Sequence, residues 1–227
     1  MTETEHWAAG LDLATRFAAG RLCLDFVNTR FLRRGADVDL IGGAEALRRW
    51  LRDAESVTGA TLLPPAGADA DGERWMRLLP RVRALRAALR ALFDGVIEGG
   101  TAAPPDALAV LNAALRENPS YPQVVAAAAA EGGADAGMGF AEATALLHPE
   151  DAWLAAIARD AADLLCHGDR SRLRRCGAYP ACIRLFYDGT RNQGRRWCVE
   201  KCGSAPKAAA YYRRKKARLG AAAVGED

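Results

Sequence analysis

The chain is 227 residues long, half of its residues are apolar, and its formal net charge at pH 7 is +3. Ala and Leu dominate the apolar share and aromatic residues make up only 7% of the chain, which favours packed helices over a sandwich of strands. No stretch approaches the ~20 uncharged apolar residues of a membrane-spanning helix, and the N-terminus is acidic where a secretion signal is basic, so we expect a soluble, cytoplasmic protein without a membrane partner.

The small net charge conceals a division along the sequence. Between Arg170 and Arg218, fifteen Lys and Arg residues stand against two acidic residues, a local charge of +13. The rest of the chain carries sixteen basic and twenty-six acidic residues, a charge of −10. An acidic body with a basic arm is typical of proteins that bind a polyanion.

The first part of the sequence predicts a helical body. Leu22–Asn28 is apolar enough to be buried, but it is too short for its periodicity to decide between strand and helix. Apolar residues at intervals of three and four predict helices over Ala44–Ala54, Trp75–Ile97 and Asp106–Glu117. Pro80 marks either a kink in the second of these helices or its true first turn.

A hairpin and a last body helix are predicted next. Gln123–Ala130 and Phe140–Leu147 flank a glycine-rich stretch and are expected to pair as β-strands. A further helix begins near Pro149 and is capped at its C-terminal end by Gly168.

These elements predict two domains, with the boundary between Gly168 and Arg172. Residues 1–168 form a helical domain, and residues 169–227 form a small module that is too short to be stabilised by an apolar core alone. The fold class is therefore mainly α, in the α+β sense: a helical domain with a small hairpin, followed by a small module that ends in a basic helix. Four clustered cysteines in this module predict a treble-clef or ribbon-like zinc fold.

The zinc expectation depends on four of the six cysteines. Cys176, Cys182, Cys198 and Cys202 are separated by five, fifteen and three residues. Two close pairs joined by a loop of this length form two knuckles that present four thiolates to one tetrahedral Zn²⁺. Because four thiolates leave no open coordination position, this single zinc ion is expected to be structural.

The cysteines also allow interpretations other than zinc binding. Disulfides are disfavoured because the sequence carries no secretion signal. His167 is an alternative ligand, but it is disfavoured because four cysteines are already available. Cys23 and Cys166 lie in apolar surroundings and are expected to be core thiols.

The loop between the cysteine pairs is expected to be a small hairpin. The turn signals Asp188-Gly189 and Asn192–Gly194 predict two strands that return Cys198 to the first knuckle. The loop arginines are then expected to point outward.

After Cys202, the sequence predicts a helix with basic and aromatic residues on one face. Gly203 provides a turn, Ser204 is the N-cap and Pro206 lies in the first turn. A helix fits the major groove, and its cations meet phosphates. The predicted nucleic-acid-binding residues are Arg191, Arg195, Arg196, Lys207, Tyr211, Arg213, Arg214, Lys215 and Arg218.

Both parts of the chain resemble known families. The segments Arg172–Cys176, Leu185–Asp188, Arg195–Cys198 and Cys202-Gly203 resemble the CGNR-type zinc finger of bacterial proteins. Gly20–Thr29, together with the helix containing Ala46–Leu51, resembles the ABATE domain that usually precedes this finger.

This resemblance implies a stress-induced transcription regulator with a finger that binds DNA. It also implies an N-terminal domain that senses a small-molecule effector. Independently of the resemblance, we expect the acidic helical body to sense a signal or to form a homodimer. The chain departs from the family where Cys202-Gly203-Ser204-Ala205 replaces Cys-Gly-Asn-Arg. Ser204 can replace the helix-capping Asn, but Ala205 cannot replace an arginine that contacts phosphate or base.

Other functions remain open from the sequence. The basic surface could serve an RNA-binding accessory protein, in which tyrosines stack on unpaired bases, and the zinc module could bind protein. An enzyme is the least favoured interpretation, because Asp25 and Asn28 more often brace a turn than line a pocket and no catalytic triad can be assembled.

Overall fold

A computed structural model describes residues 12–33, 35–63, 72–100, 102–126, 138–144 and 151–204. These residues are mainly helical and carry three antiparallel two-stranded hairpins, so the predicted fold class is confirmed. The helices are α1 (Leu13–Arg16), α2 (Leu22–Val27), α3 (Ala44–Thr58), α4 (Gly72–Ile97), α5 (Pro105–Glu117) and α6 (Ala152–Cys166). The paired strands are β1 (Arg30–Arg33) with β2 (Ala36–Asp39), β3 (Ser120–Ala126) with β4 (Met138–Thr144), and β5 (Leu173–Arg175) with β6 (Leu185–Tyr187).

The ambiguous segment Leu22–Asn28 forms a short helix, α2. Five consecutive residues, Cys23 to Val27, are buried, because α4, α6 and β6 pack against α2. A helix that is surrounded in this way has no exposed polar face. Its sequence therefore shows no helical alternation of apolar and polar residues.

Helix α3 begins where predicted and ends one turn later, at Thr58, and α4 ends where predicted, at Ile97. Leu47, Trp50 and Leu51 form the buried face of α3, and Gly59 caps it in a left-handed conformation with φ of 70°. Helix α4 starts three residues earlier than predicted, so Pro80 lies inside it and not in its first turn.

The last body elements are α5, the β3–β4 hairpin and α6. Val124 pairs with Phe140 in the hairpin, which is confirmed with both strands starting slightly earlier than predicted. The expected helix start at Pro149 lies outside the described residues. At the end of α6, Gly168 donates to Leu164 O at 3.2 Å, and a Cβ here would lie only 2.5 Å from that oxygen.

One hydrophobic core runs through the body and into the C-terminal module. Leu185 and Phe186 of β6 are fully buried in the same cluster as Phe26 of α2 and Trp153 of α6. The β5–β6 hairpin packs on α2 and α4. The module is therefore seated on the helical body.

Candidate metal centre

The four clustered cysteines bring their sulfur atoms together. All four Sγ atoms lie within 4.8 Å of one another. The Sγ of Cys198 lies 3.7 Å from the Sγ of Cys182 and from that of Cys202. A tetrahedral zinc ion with Zn–S bonds of about 2.3 Å requires sulfurs about 3.8 Å apart. The donor set fits one structural zinc ion, as predicted, and all six cysteines are free thiols.

The first knuckle follows strand β5 directly. The N–H of Tyr179 donates to Cys176 O at 3.0 Å, and the N–H of Cys182 donates to Ala178 O at 3.1 Å. Two consecutive turns therefore close the five-residue gap, so a spacing wider than the common Cys-x2-Cys still brings both sulfurs to the same side.

The second knuckle lies at the start of a helix. Helical structure begins at Glu200 and continues to the last described residue, so Cys198 and Cys202 are one turn apart. The N–H of Gly177 donates to Arg196 O at 2.8 Å, and this bond joins the first knuckle to the second.

The four thiols share their protons, and the fully deprotonated cluster would need a cation. Hydrogen bonds from the thiols of Cys182, Cys198 and Cys202 lower the pKa of Cys176, whereas hydrogen bonding with Cys176 and Cys182 raises the pKa of Cys198. Four thiolates at these distances repel one another unless a metal ion neutralises them. Since zinc must displace the protons, its affinity should fall as the pH falls.

The expected hairpin between the cysteine pairs is wrong. Strand β6 pairs with β5, in the register Leu173↔Tyr187, and not with any residue of the segment 191–197. The buried carboxylate of Asp188 organises that segment instead: it accepts hydrogen bonds from the Thr190 N–H at 3.0 Å and the Arg195 N–H at 2.9 Å. Asp188-Gly189 therefore begins a loop that is organised around the Asp188 carboxylate. The sequence of this loop resembles that of a hairpin turn.

Of the three predicted nucleic-acid-binding residues in this loop, two are exposed to solvent and one is bonded to the protein. Arg191 and Arg196 are exposed. Arg195 does not point outward, which corrects that expectation. Its guanidinium donates to Ala18 O at 2.7 Å and to the carbonyl of Cys198, and it covers the Phe186 ring at 4.6 Å.

The helix after the second knuckle starts earlier than predicted. Gly203 is not a turn, and Ser204 is not an N-cap, because both lie inside a helix that begins at Glu200. The Ser204 hydroxyl donates to Lys201 O at 2.9 Å. A Cβ on Gly203 would lie 2.9 Å from the Trp197 ring, which explains why glycine stands there. The predicted nucleic-acid-binding residues Lys207, Tyr211, Arg213, Arg214, Lys215 and Arg218 lie outside the described residues.

Several side chains hold the module on the body, and of these the sequence singled out only Asn28, as a residue that braces a turn. The Asn28 amide bonds both backbone groups of Leu185, donating to its O at 2.7 Å and accepting from its N–H at 2.8 Å. Arg90 donates to Ile183 O at 2.6 Å, and Arg175 donates to Asp94 at 2.7 Å. Arg90 and Arg175 carry no distinguishing signal in the sequence, because other arginines lie on the same elements.

The other residues considered as pocket residues, metal ligands or core thiols lie outside the sulfur cluster. Asp25 accepts from the Ala19 N–H at 2.9 Å, so it braces the chain before α2. His167 is exposed and contacts Asp163, away from the sulfur cluster. Cys23 is buried as expected, but Cys166 is exposed, which corrects its assignment to the core. None of the described helices is long and apolar enough to cross a membrane.

Comparison with known families agrees with this architecture. Residues 172–215 match the CGNR zinc finger, and residues 20–168 match the family ABATE, described as "Putative stress-induced transcription regulator". Comparison with curated proteins found no similar one. Since the ABATE match alone covers more than half of the chain, the protein belongs to the ABATE family and carries a CGNR zinc finger at its C-terminal end.

Proposed function

We propose that the protein is a DNA-binding transcription regulator whose zinc finger contacts the duplex and whose helical body controls that contact. The family assignment and the division of charge support this function. The observation that carries it is the position of the second knuckle: the zinc-binding Cys198 and Cys202 fix the helical turn from which the basic C-terminal run continues.

Two exposed cations, Arg196 and Lys201, lie beside this knuckle, and a third, Arg191, lies in the loop that precedes it. Arg191, Arg196 and Lys201 are exposed and have no hydrogen bond or ion pair among the described residues, although Arg196 covers the Trp197 ring at 5.4 Å. Uncommitted cations on a rigid module are the groups that neutralise phosphates. We assign Arg195 to holding the module, because its donors bind carbonyls, and we retain Arg191, Arg196 and the basic residues beyond 204 as contacts.

Titration with duplex DNA at two salt concentrations tests this function. Zinc-loaded full-length protein should bind fluorescent DNA with an affinity that falls at least tenfold between 50 and 200 mM salt. The double variant Arg191→Gln/Arg196→Gln should lower the slope of log affinity against log salt by about 2, since each phosphate contact contributes about 0.9.

The matched control removes the same charge from the body. Arg52 and Arg77 are exposed helix residues paired with glutamates, so Arg52→Gln/Arg77→Gln should leave the slope unchanged. Equal losses in both double variants would show that only net charge matters. Absence of salt-dependent binding would refute the nucleic-acid function and favour a protein-binding module. Stronger competition by single-stranded RNA than by duplex DNA would favour the RNA-binding alternative.

Our other expectations for the body stay predictions. A small-molecule effector and a homodimer are the expected partners of residues 1–168, and a cytoplasmic location is expected. The protein is proposed not to be an enzyme: both families are of regulator or zinc-finger type, and a four-thiolate zinc site keeps no position for a substrate.

A further inference from the structure

A cleft of about 1030 Å³ lies where the helical body meets the zinc module. Helix α4 forms one wall, and the β1–β2 hairpin forms another. Ile183, which directly follows the zinc ligand Cys182, closes the end. The volume lies at the upper limit of the range found for small-molecule sites.

The cleft has an apolar surface between its charged residues. Val27 and Leu32 contribute from the N-terminal elements, Ala87 and Ala91 from α4, and Ile183 from the module. Both alanines are exposed, so α4 presents methyl groups where longer side chains would fill the space. An occupant with an apolar body would be accommodated here.

Two of the four arginines that line the cleft are committed to aspartates. Arg86 is buried and makes a bidentate pair with Asp39, at 2.6 and 2.5 Å. Arg90 bonds Asp94 at 2.6 Å and the carbonyl of Ile183 at 2.6 Å. These pairs shape the cleft and fix its wall against the module.

The other two arginines retain binding capacity. Among the described residues, Arg83 has a single hydrogen bond, to Gly42 O at 2.9 Å, and forms no ion pair, although its charge acts on Asp39, whose carboxylate is already paired with Arg86. Arg30 pairs with Asp37, but both side chains are about half exposed, at 61% and 47%, and such pairs contribute little stability. The lining therefore holds four arginines against three aspartates, an excess of one positive charge.

We propose that this cleft binds a small organic anion whose acidic group meets Arg83, with Arg30 as a second donor, and whose apolar body lies on Ala87 and Ala91. Arginine recognises carboxylate, sulfonate and phosphate groups through charge-assisted hydrogen bonds. The occupant would touch Ile183, and through it the first knuckle of the zinc site. This inference does not depend on DNA binding.

A fluorescent anion of matching chemistry provides the test. 1-Anilinonaphthalene-8-sulfonate should bind zinc-loaded full-length protein saturably, with one site per chain. Arg83→Gln should weaken this binding at least tenfold, the loss expected for one charge-assisted hydrogen bond. Ala91→Phe should also weaken it, because the ring would occupy the surface on which the apolar body lies. The uncharged analogue N-phenyl-1-naphthylamine should bind wild type and Arg83→Gln equally.

The matched control is Arg77→Gln, which removes one charge from the same helix outside the cleft. It should bind the sulfonate as the wild type does, and zinc content and far-UV circular dichroism should be unchanged in all three variants. Equal weakening by Arg77→Gln and Arg83→Gln, unchanged binding in Ala91→Phe, or no saturable binding to the wild type would each overturn the proposal. Because no DNA is present, this result is separate from that of the DNA titration.

Discussion

The side chain of Asn28 acts as a substitute for a neighbouring strand. Its amide satisfies the N–H and the C=O of Leu185 together, as a peptide group of an adjacent strand would. Asn28 is buried at the end of α2, and Leu185 begins β6 in the zinc module. One residue of the body thus completes the backbone hydrogen bonding of the finger.

Replacing Asn28 with Ala should therefore cost about 3 kcal/mol of unfolding free energy. The change leaves a buried donor and a buried acceptor of Leu185 without partners, and each costs about 1–3 kcal/mol. Urea unfolding of zinc-loaded protein measures the loss. The exposed Asn192→Ala in the module is the matched control and should lie within about 0.5 kcal/mol of the wild type. A similar small effect of Asn28→Ala would contradict the assigned role.

Asp25 should make the protein less stable as the pH rises. Burial raises the pKa of its carboxyl from 3.8 to about 7, although the hydrogen bond from the Ala19 N–H opposes this shift. The folded state therefore holds the proton more tightly than the unfolded state. Its stabilising contribution is complete below about pH 4 and is lost as the pH rises through about 7.

Asp25→Asn should remove this dependence, because the amide oxygen can still accept from Ala19 and cannot ionise. The difference in unfolding free energy between variant and wild type should shift in favour of the variant by about 2–3 kcal/mol between pH 5 and pH 8. Unfolding at both pH values measures it. Asp37→Asn, at an exposed aspartate, is the control for general charge effects. A constant difference between Asp25→Asn and the wild type would contradict the assigned shift.

At the scale of elements, the helices were predictable and the finger loop was not. Amphipathic periods located α3, α4 and α5, since each has one buried face. The partner of β6 is β5, which precedes the first knuckle, and the sequence of the loop does not reveal this non-local choice of partner. Asp188-Gly189 predicted a hairpin because a carboxylate that binds its own loop uses the same residue types as a turn.

The helix of the second knuckle depends on Gly203. A Cβ at this position would lie 2.9 Å from two carbons of the Trp197 ring, so Gly203→Ala must move the ring or the helix. We expect weaker zinc binding and a lower unfolding temperature, even though alanine favours helix over glycine by about 1 kcal/mol. Competition with a chromogenic chelator measures the zinc affinity. Gly189→Ala, where a Cβ has open space, is the control. Unchanged zinc affinity in Gly203→Ala would show that the ring contact is not required.

Across the whole molecule, the metal site and the helical body share one core. The cysteines could be predicted from the sequence because their spacing defines the ligand set, whereas residues such as Asn28 and Arg195 could not be assigned. Asn28 bonds the backbone of Leu185 and Arg195 bonds that of Ala18, each more than 150 residues away, and only the tertiary fold brings these groups together. Because the core is shared, a change at the zinc ion should also change the stability of the helical body.

Removing zinc should therefore destabilise the helical body as well as the finger. The stacked rings of Trp75 and Trp153, with centroids 6.5 Å apart, report on α4 and α6 through near-UV circular dichroism. Losing the anchors between finger and body should cost several kcal/mol, which lowers the unfolding temperature at this chain length by roughly 10 °C. A strong chelator and the variant Cys182→Ser should both produce this shift, and Cys166→Ser, at an exposed cysteine outside the site, should not. If the tryptophan signal instead melts at an unchanged temperature after zinc removal, the body is stable without the finger, and a signal could not pass between them through the shared core.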